Sequence, residues 1–219
     1  MAQIAILFAP ALYHLAQADV AWVTIIASLA ILGVSIAAQR NPAVKIGLLH
    51  DHESIYAGER HRLGSSAYIH GGALHLIFNL LAFFSFGRAL EGYFLWRFGS
   101  GGPLLYAAIL VGGAFLTGSL QYAGERYLGS MPSLGASAVV LLVVSASIVL
   151  DPGSLILLLF IPLPGWLFLA VFTGVTVYSM LKHSKAVDSF MTFGAGRVNH
   201  LGHLTGIVAG IALGCLLLV

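Results

Sequence analysis

Residues 200–219 read HLGHLTGIVAGIALGCLLLV. Beyond His203 the stretch holds no charged side chain, and Gly206, Gly210 and Gly214 recur at four-residue intervals. On a helix of 3.6 residues per turn, His203, Gly210 and Gly214 fall within about 40° of one another. One face therefore carries an imidazole at its start and a smooth glycine track beyond it. Such a track lets a neighbouring backbone come close, as small residues do wherever helices pack in lipid. The stretch reads as a membrane helix pressed against another helix.

Composition extends that reading to the whole chain. Hydrophobic residues fill 59% of the 219 positions and charged residues 8%, with a mean hydropathy of +0.96, far from the balance of a soluble domain. Runs of about 17 to 25 apolar residues read as spans. Six are present, near Val20–Ala38, Tyr68–Phe86, Leu104–Tyr122, Leu134–Leu150, Leu155–Leu181 and Leu201–Val219. The prediction is an all-α membrane protein, one six-helix bundle over residues 1–219. The first residues, MAQIAILFAPAL, lack a preceding positive charge and read as an interfacial segment rather than a removed signal peptide. A single cysteine, Cys215, excludes an intrachain disulfide. A net charge of +2 spread over loops gives no reason to expect a nucleic-acid partner. The connections 39–67 and 182–199 are long for so economical a bundle, which points to function, and the second reads as a cap.

Polar side chains inside spans are costly and by default functional. His75 and Asn79, four residues apart, share one helical face. His70, five residues before His75, falls about 140° around the helix and is not expected to join them. Ser137 follows GERYLGSMPSLGA, residues 124–136, whose Gly, Ser and Pro predict irregular backbone. At membrane depth such backbone is tolerated only within protein or beside a water-filled cavity. The small residues of Gly135-Ala136-Ser137-Ala138 make the fourth span the candidate neighbour for the glycine track. Two crossings separate the fourth and sixth spans, so they run parallel. Ser137 and His203, each near the start of its span, lie at one depth. A serine hydroxyl there is ordinarily a helix cap, but beside a histidine it has the base that a serine nucleophile needs.

Together these elements resemble the rhomboid family of intramembrane serine proteases. The resemblance runs from Gly58 to Gly214 through GERHRLGSSAYIHGGALHLIFN, FGRALE, PSLGASAVV, FIPLPGW and HLGHLTGIVAG, in that order. It implies Ser137 as nucleophile, His203 as general base, and an oxyanion hole of His75, Asn79 and the Ser137 N–H. It further implies structural roles for Arg62 and Glu91, with His70 shaping the first loop, while Gly135, Gly206, Gly210 and His200 support the site. No metal or other cofactor is implied. The partners would be the lipid bilayer and the transmembrane segments of substrate proteins, in a multi-pass protein of the bacterial inner membrane. Because all eight acidic residues fall outside the six spans, a Ser/His dyad is expected rather than a triad.

Three positions depart from the family pattern. His61 replaces a tryptophan before Arg62, Ala138 replaces glycine, and Leu141 replaces an aromatic that packs on the base. The last change favours a looser His203 and lower activity. Two other readings compete: an inactive rhomboid-like protein that binds membrane clients, and a metal or haem protein using His70, His75, His200 and His203. Orientation is contested too. Eight of the ten Lys and Arg residues flank the side of Ser137, which the positive-inside rule places in the cytoplasm. The resemblance implies a site that opens outward, and we adopt that orientation.

Overall fold

The computed structural model describes residues 21–158, 161–182 and 198–219. The segment at 1–12 and most of the expected cap at 182–199 lie outside the described residues. Helix α1 (Trp22–Arg40) leads into a first connection built of α2 (Pro42–Leu48), α3 (His52–Tyr56) and α4 (Arg62–Ser65). The long helices α5 (Ala73–Phe98) and α6 (Gly102–Leu128) follow, then α7 (Ser137–Leu150). Strands β1 (Leu155–Leu158) and β2 (Ile161–Pro164) precede α8 (Gly165–Lys182) and α9 (His200–Leu218). Helices α1, α5, α6, α7, α8 and α9 make a six-helix membrane bundle.

Turn chemistry sets the connections. Gly99, at φ +62°, opens the turn between α5 and α6, and a side chain at Gly102 would strike the Phe94 carbonyl. Asn41 caps α2 by accepting from the Ala43 amide at 3.0 Å, with Pro42 in the first helical position. Asp51 caps α3, its Oδ2 accepting from the Ser54 amide at 3.0 Å and the Ser54 hydroxyl at 2.7 Å. The buried Arg62 folds the first connection onto itself. It pairs with Glu59 and donates to the carbonyls of Ile46 and, at 2.9 Å, Leu49. That connection then lies against α6, where Gly118 meets the Leu63 carbonyl with no room for a side chain.

Several boundaries differ from the hydropathy reading. The fifth helix begins at Gly165 rather than Leu155, because Pro162 and Pro164 cannot supply helical N–H groups. Instead an antiparallel hairpin pairs Leu155 with Pro164 and Leu158 with Ile161. Helices α5 and α6 also outlast their apolar runs, carrying Glu91 and Glu125 into buried positions at 3% and 5% exposure. Glu91 serves α1. Its two carboxylate oxygens accept from the amides of Val23 (3.0 Å) and Thr24 (2.8 Å) and from the Thr24 hydroxyl (2.7 Å). A carboxylate at a helix N-terminus satisfies open donors and complements the dipole.

Helix α7 is the centre of the bundle, with every residue from Val139 to Ala146 buried. At 14 residues it rises about 21 Å, less than the roughly 30 Å hydrocarbon thickness. Helix α9 runs along it. Side chains at Gly206, Gly210 and Gly214 would meet the Ala138 carbonyl, the Leu142 carbonyl and Val149 respectively. The glycine track thus has the partner expected of it.

Candidate active site

Ser137 is the first residue of α7, and His203 lies in the first turn of α9. Their side chains meet, with Ser137 Oγ 2.9 Å from His203 Nε2. With the hydroxyl as donor, Nε2 is the acceptor, and the ring proton resides on Nδ1. His203 Nδ1 has no hydrogen-bond partner among the described residues. Asn199 caps α9, its Oδ1 accepting from the Gly202 amide at 2.9 Å and its carbonyl from the His203 amide at 3.0 Å.

The backbone ahead of Ser137 is held from the first connection. Gly135 has φ +125°, a left-handed conformation that suits glycine, and its amide donates to the Ser66 carbonyl at 3.0 Å. The Ala136 amide donates to His70 Nε2 at 3.2 Å. His70 Nδ1 therefore carries the proton and donates to Ser35 Oγ at 2.9 Å, while that hydroxyl donates to the Tyr68 carbonyl at 2.9 Å. His70 precedes α5, so the helical angle that would separate it from His75 does not apply. The two rings stand edge to face with centroids 5.0 Å apart. A Cβ at Gly135 would lie 2.8 Å from His75 Cε1, which sets the His75 ring beside the chain entering α7. Asn79, 8% exposed, donates from Nδ2 to the His75 carbonyl at 2.8 Å. A cavity of about 30 Å³, lined by Ser66, Gln121, Ser133, Ser137 and Asn199 among others, adjoins the serine. A site of that size and polarity has room for one or two waters.

A family model, the Rhomboid domain, matches residues 57–219. The chain belongs to the rhomboid family. Rhomboids are generally intramembrane serine proteases, and this one is an integral membrane protein. No curated protein is significantly similar to it in sequence.

Within this rhomboid the four histidines of the metal reading do not share a centre. His70 is committed to Ser35 and Ala136, and His203 to Ser137. Among the described residues no group of three or more His, Cys, Asp or Glu side chains is placed to hold a metal. His200 is 8% exposed, its ring edge to face with His203 at 6.3 Å. Arg62 and Glu91 act on the first connection and on α1 respectively.

Two contributors escaped the sequence reading. Asn199 carried a signal, since an asparagine just before a helical run is a cap candidate. Phe172 of α8 carried none. Its ring centroid lies 6.0 Å from that of His203 and 5.6 Å from the stacked Phe168. An aromatic therefore flanks the His203 ring from another helix although Leu141 supplies none.

Proposed function

We propose that this rhomboid is an active intramembrane serine endopeptidase that cleaves transmembrane segments of other membrane proteins through an acyl-enzyme. The observation that carries the reading is the 2.9 Å contact between Ser137 Oγ and His203 Nε2. As Oγ attacks the scissile carbonyl carbon, His203 Nε2 takes the hydroxyl proton. The carbonyl oxygen becomes an oxyanion, met by the Ser137 amide at the positive end of α7 and by His75 and Asn79. One of the two Asn79 N–H bonds is engaged by the His75 carbonyl, and the other is the donor in this scheme. The C–N bond then breaks as His203 returns its proton to the leaving amine, and an ester on Ser137 remains. A water, for which the adjoining cavity has space and polar partners, gives a proton to His203 and attacks the ester. The acid product leaves as the proton passes back to Ser137.

The test is labelling of the purified protein by a fluorophosphonate probe, with Ser137→Ala and His203→Ala as comparisons. Wild type should label, Ser137→Ala should not label because it lacks the oxygen that takes the probe, and His203→Ala should slow labelling by about 10⁴- to 10⁶-fold. A folded wild-type protein that does not label overturns the reading and leaves a rhomboid that binds clients without cutting them.

A further inference from the structure

Glu125 has no part in the steps above, yet its side chain is 3% exposed in a protein that buries few charges. A buried carboxylate is costly unless its oxygens are fully met. Here they are. His52 Nδ1 donates to Oε2 at 2.9 Å, Gln121 Nε2 donates to Oε1 at 2.8 Å, and His50 Nε2 lies 3.1 Å from Oε1. His52 is also stacked on Tyr122, with centroids 4.5 Å apart.

From Glu125 the bonds run to the starts of both helices that bear the dyad. Gln121 Nε2 also donates to Ser133 Oγ at 3.0 Å, and Asn199 Nδ2 donates to Gln121 Oε1 at 2.7 Å and to Ser133 Oγ at 3.1 Å. Every N–H of the two amide side chains is thereby used. Ser133, four residues before Ser137, exchanges both backbone bonds with His50, each at 3.0 Å. Asn199 grips the first turn of α9, including the His203 amide. Satisfied polar networks are rigid, and the path through Glu125, Gln121, Ser133 and Asn199 is bonded at every step, although among the described residues neither ring nitrogen of His50 makes a hydrogen bond.

We propose that Glu125 is a positioning residue of the site, one that fixes through Gln121, Ser133 and Asn199 the starts of α7 and α9 and so the meeting of Ser137 with His203. The inference rests on the protease reading for its consequence in rate and on bond geometry for its consequence in structure. Glu125→Leu removes every acceptor, whereas Glu125→Gln keeps the shape and a neutral set of hydrogen bonds.

The experiment measures fluorophosphonate labelling and hydrogen exchange in wild type, Glu125→Leu, Glu125→Gln, Asn199→Ala and the Glu125→Leu/Asn199→Ala double variant. Small displacements of reacting groups cost up to about 10²-fold, and we expect Glu125→Leu and Asn199→Ala each to slow labelling about ten-fold. Probe affinity should stay unchanged, and Glu125→Gln should recover most of the rate. The double variant should be no slower than the worse single one, because both cut one path. Peptides covering 133–140 and 199–206 should exchange faster in Glu125→Leu. Wild-type labelling in Glu125→Leu, or costs that add in the double variant, overturns the inference and leaves the protease reading intact. A wild type that does not label defeats the protease reading, and the exchange data then decide this one: unchanged exchange in both peptides overturns it. Should Glu125→Leu fail to fold, Gln121→Met breaks the same path beyond the histidines and is read in the same way.

Discussion

Gly206, one turn beyond His203, lies directly on the carbonyl of Ala138, the residue after Ser137. The meeting of Ser137 with His203 is therefore set by backbone contact between two helices as much as by its own hydrogen bond.

Gly206→Val should force α7 and α9 apart where Ser137 meets His203. Overpacking of this kind costs about 1–3 kcal/mol of stability, and labelling should fall by up to about 10²-fold through misplacement of His203. Gly33→Val, at a position with nothing within 4 Å of a built Cβ, is the control and should leave the labelling rate unchanged. Thermal unfolding in detergent and probe kinetics read the two effects.

Glu91→Gln should weaken the bundle without touching the chemistry. A hydrogen bond to a charged group contributes about 1.5–3 kcal/mol, and three donors converge on this carboxylate. The melting temperature should drop, while the labelling rate per folded molecule stays at the wild-type value. A reduced rate in fully folded protein would show that α1 reaches the site.

Phe172→Ala should loosen the His203 ring. An aromatic contact is worth about 0.5–1.5 kcal/mol beyond its area, so a rate loss of several-fold is expected, with Phe172→Tyr close to wild type. Equal rates in wild type and the alanine variant would show that His203 is held without this ring.

Asp51 gives a pH signature in the first connection. Its bonds from the Ser54 hydroxyl and amide hold the carboxyl below its unfolded value of 3.8. A depressed folded value means the cap's contribution is fully present above 3.8 and is lost as pH falls through the folded value. Asp51→Ala should therefore be less stable than wild type at neutral pH, by about 0.5–2 kcal/mol. The two proteins should converge once both carboxyl forms are protonated. Unfolding curves across pH check the sign.

Orientation follows from labelling one exposed side chain. Tyr56 is 80% exposed on the same connection as His50 and His52. In a Cys215→Ser background, Tyr56→Cys should react with a membrane-impermeant maleimide added to intact spheroplasts. Protection until the membrane is opened would place this side in the cytoplasm, as the loop charges suggest.

The parts of this molecule legible in its sequence were the periodic ones. Gly206, Gly210 and Gly214 pointed to a close helix contact, and the small residues around Ser137 named the partner. Hydropathy found the spans but missed where α5 and α6 end, because Glu91 and Glu125 are carried inside by bonding partners tens of residues away. It also took β1 and β2 for helix, since an apolar run alone does not separate strand from span. In the candidate site, the meeting of Ser137 with His203 was legible, since both open parallel spans beside small residues. Phe172 and Gln121 were not, because each acts across an interface between helices that no local pattern records.

The carboxylate that closes the start of α1 stands 68 residues downstream of the amide of Val23. During synthesis the first helix must reach the bilayer before Glu91 exists, with water or headgroups holding its open amides in the interim. Docking of α1 is then complete only when α5 has been inserted. A defect at Glu91 would therefore appear in the assembly of newly made chains as well as in the melting of finished ones.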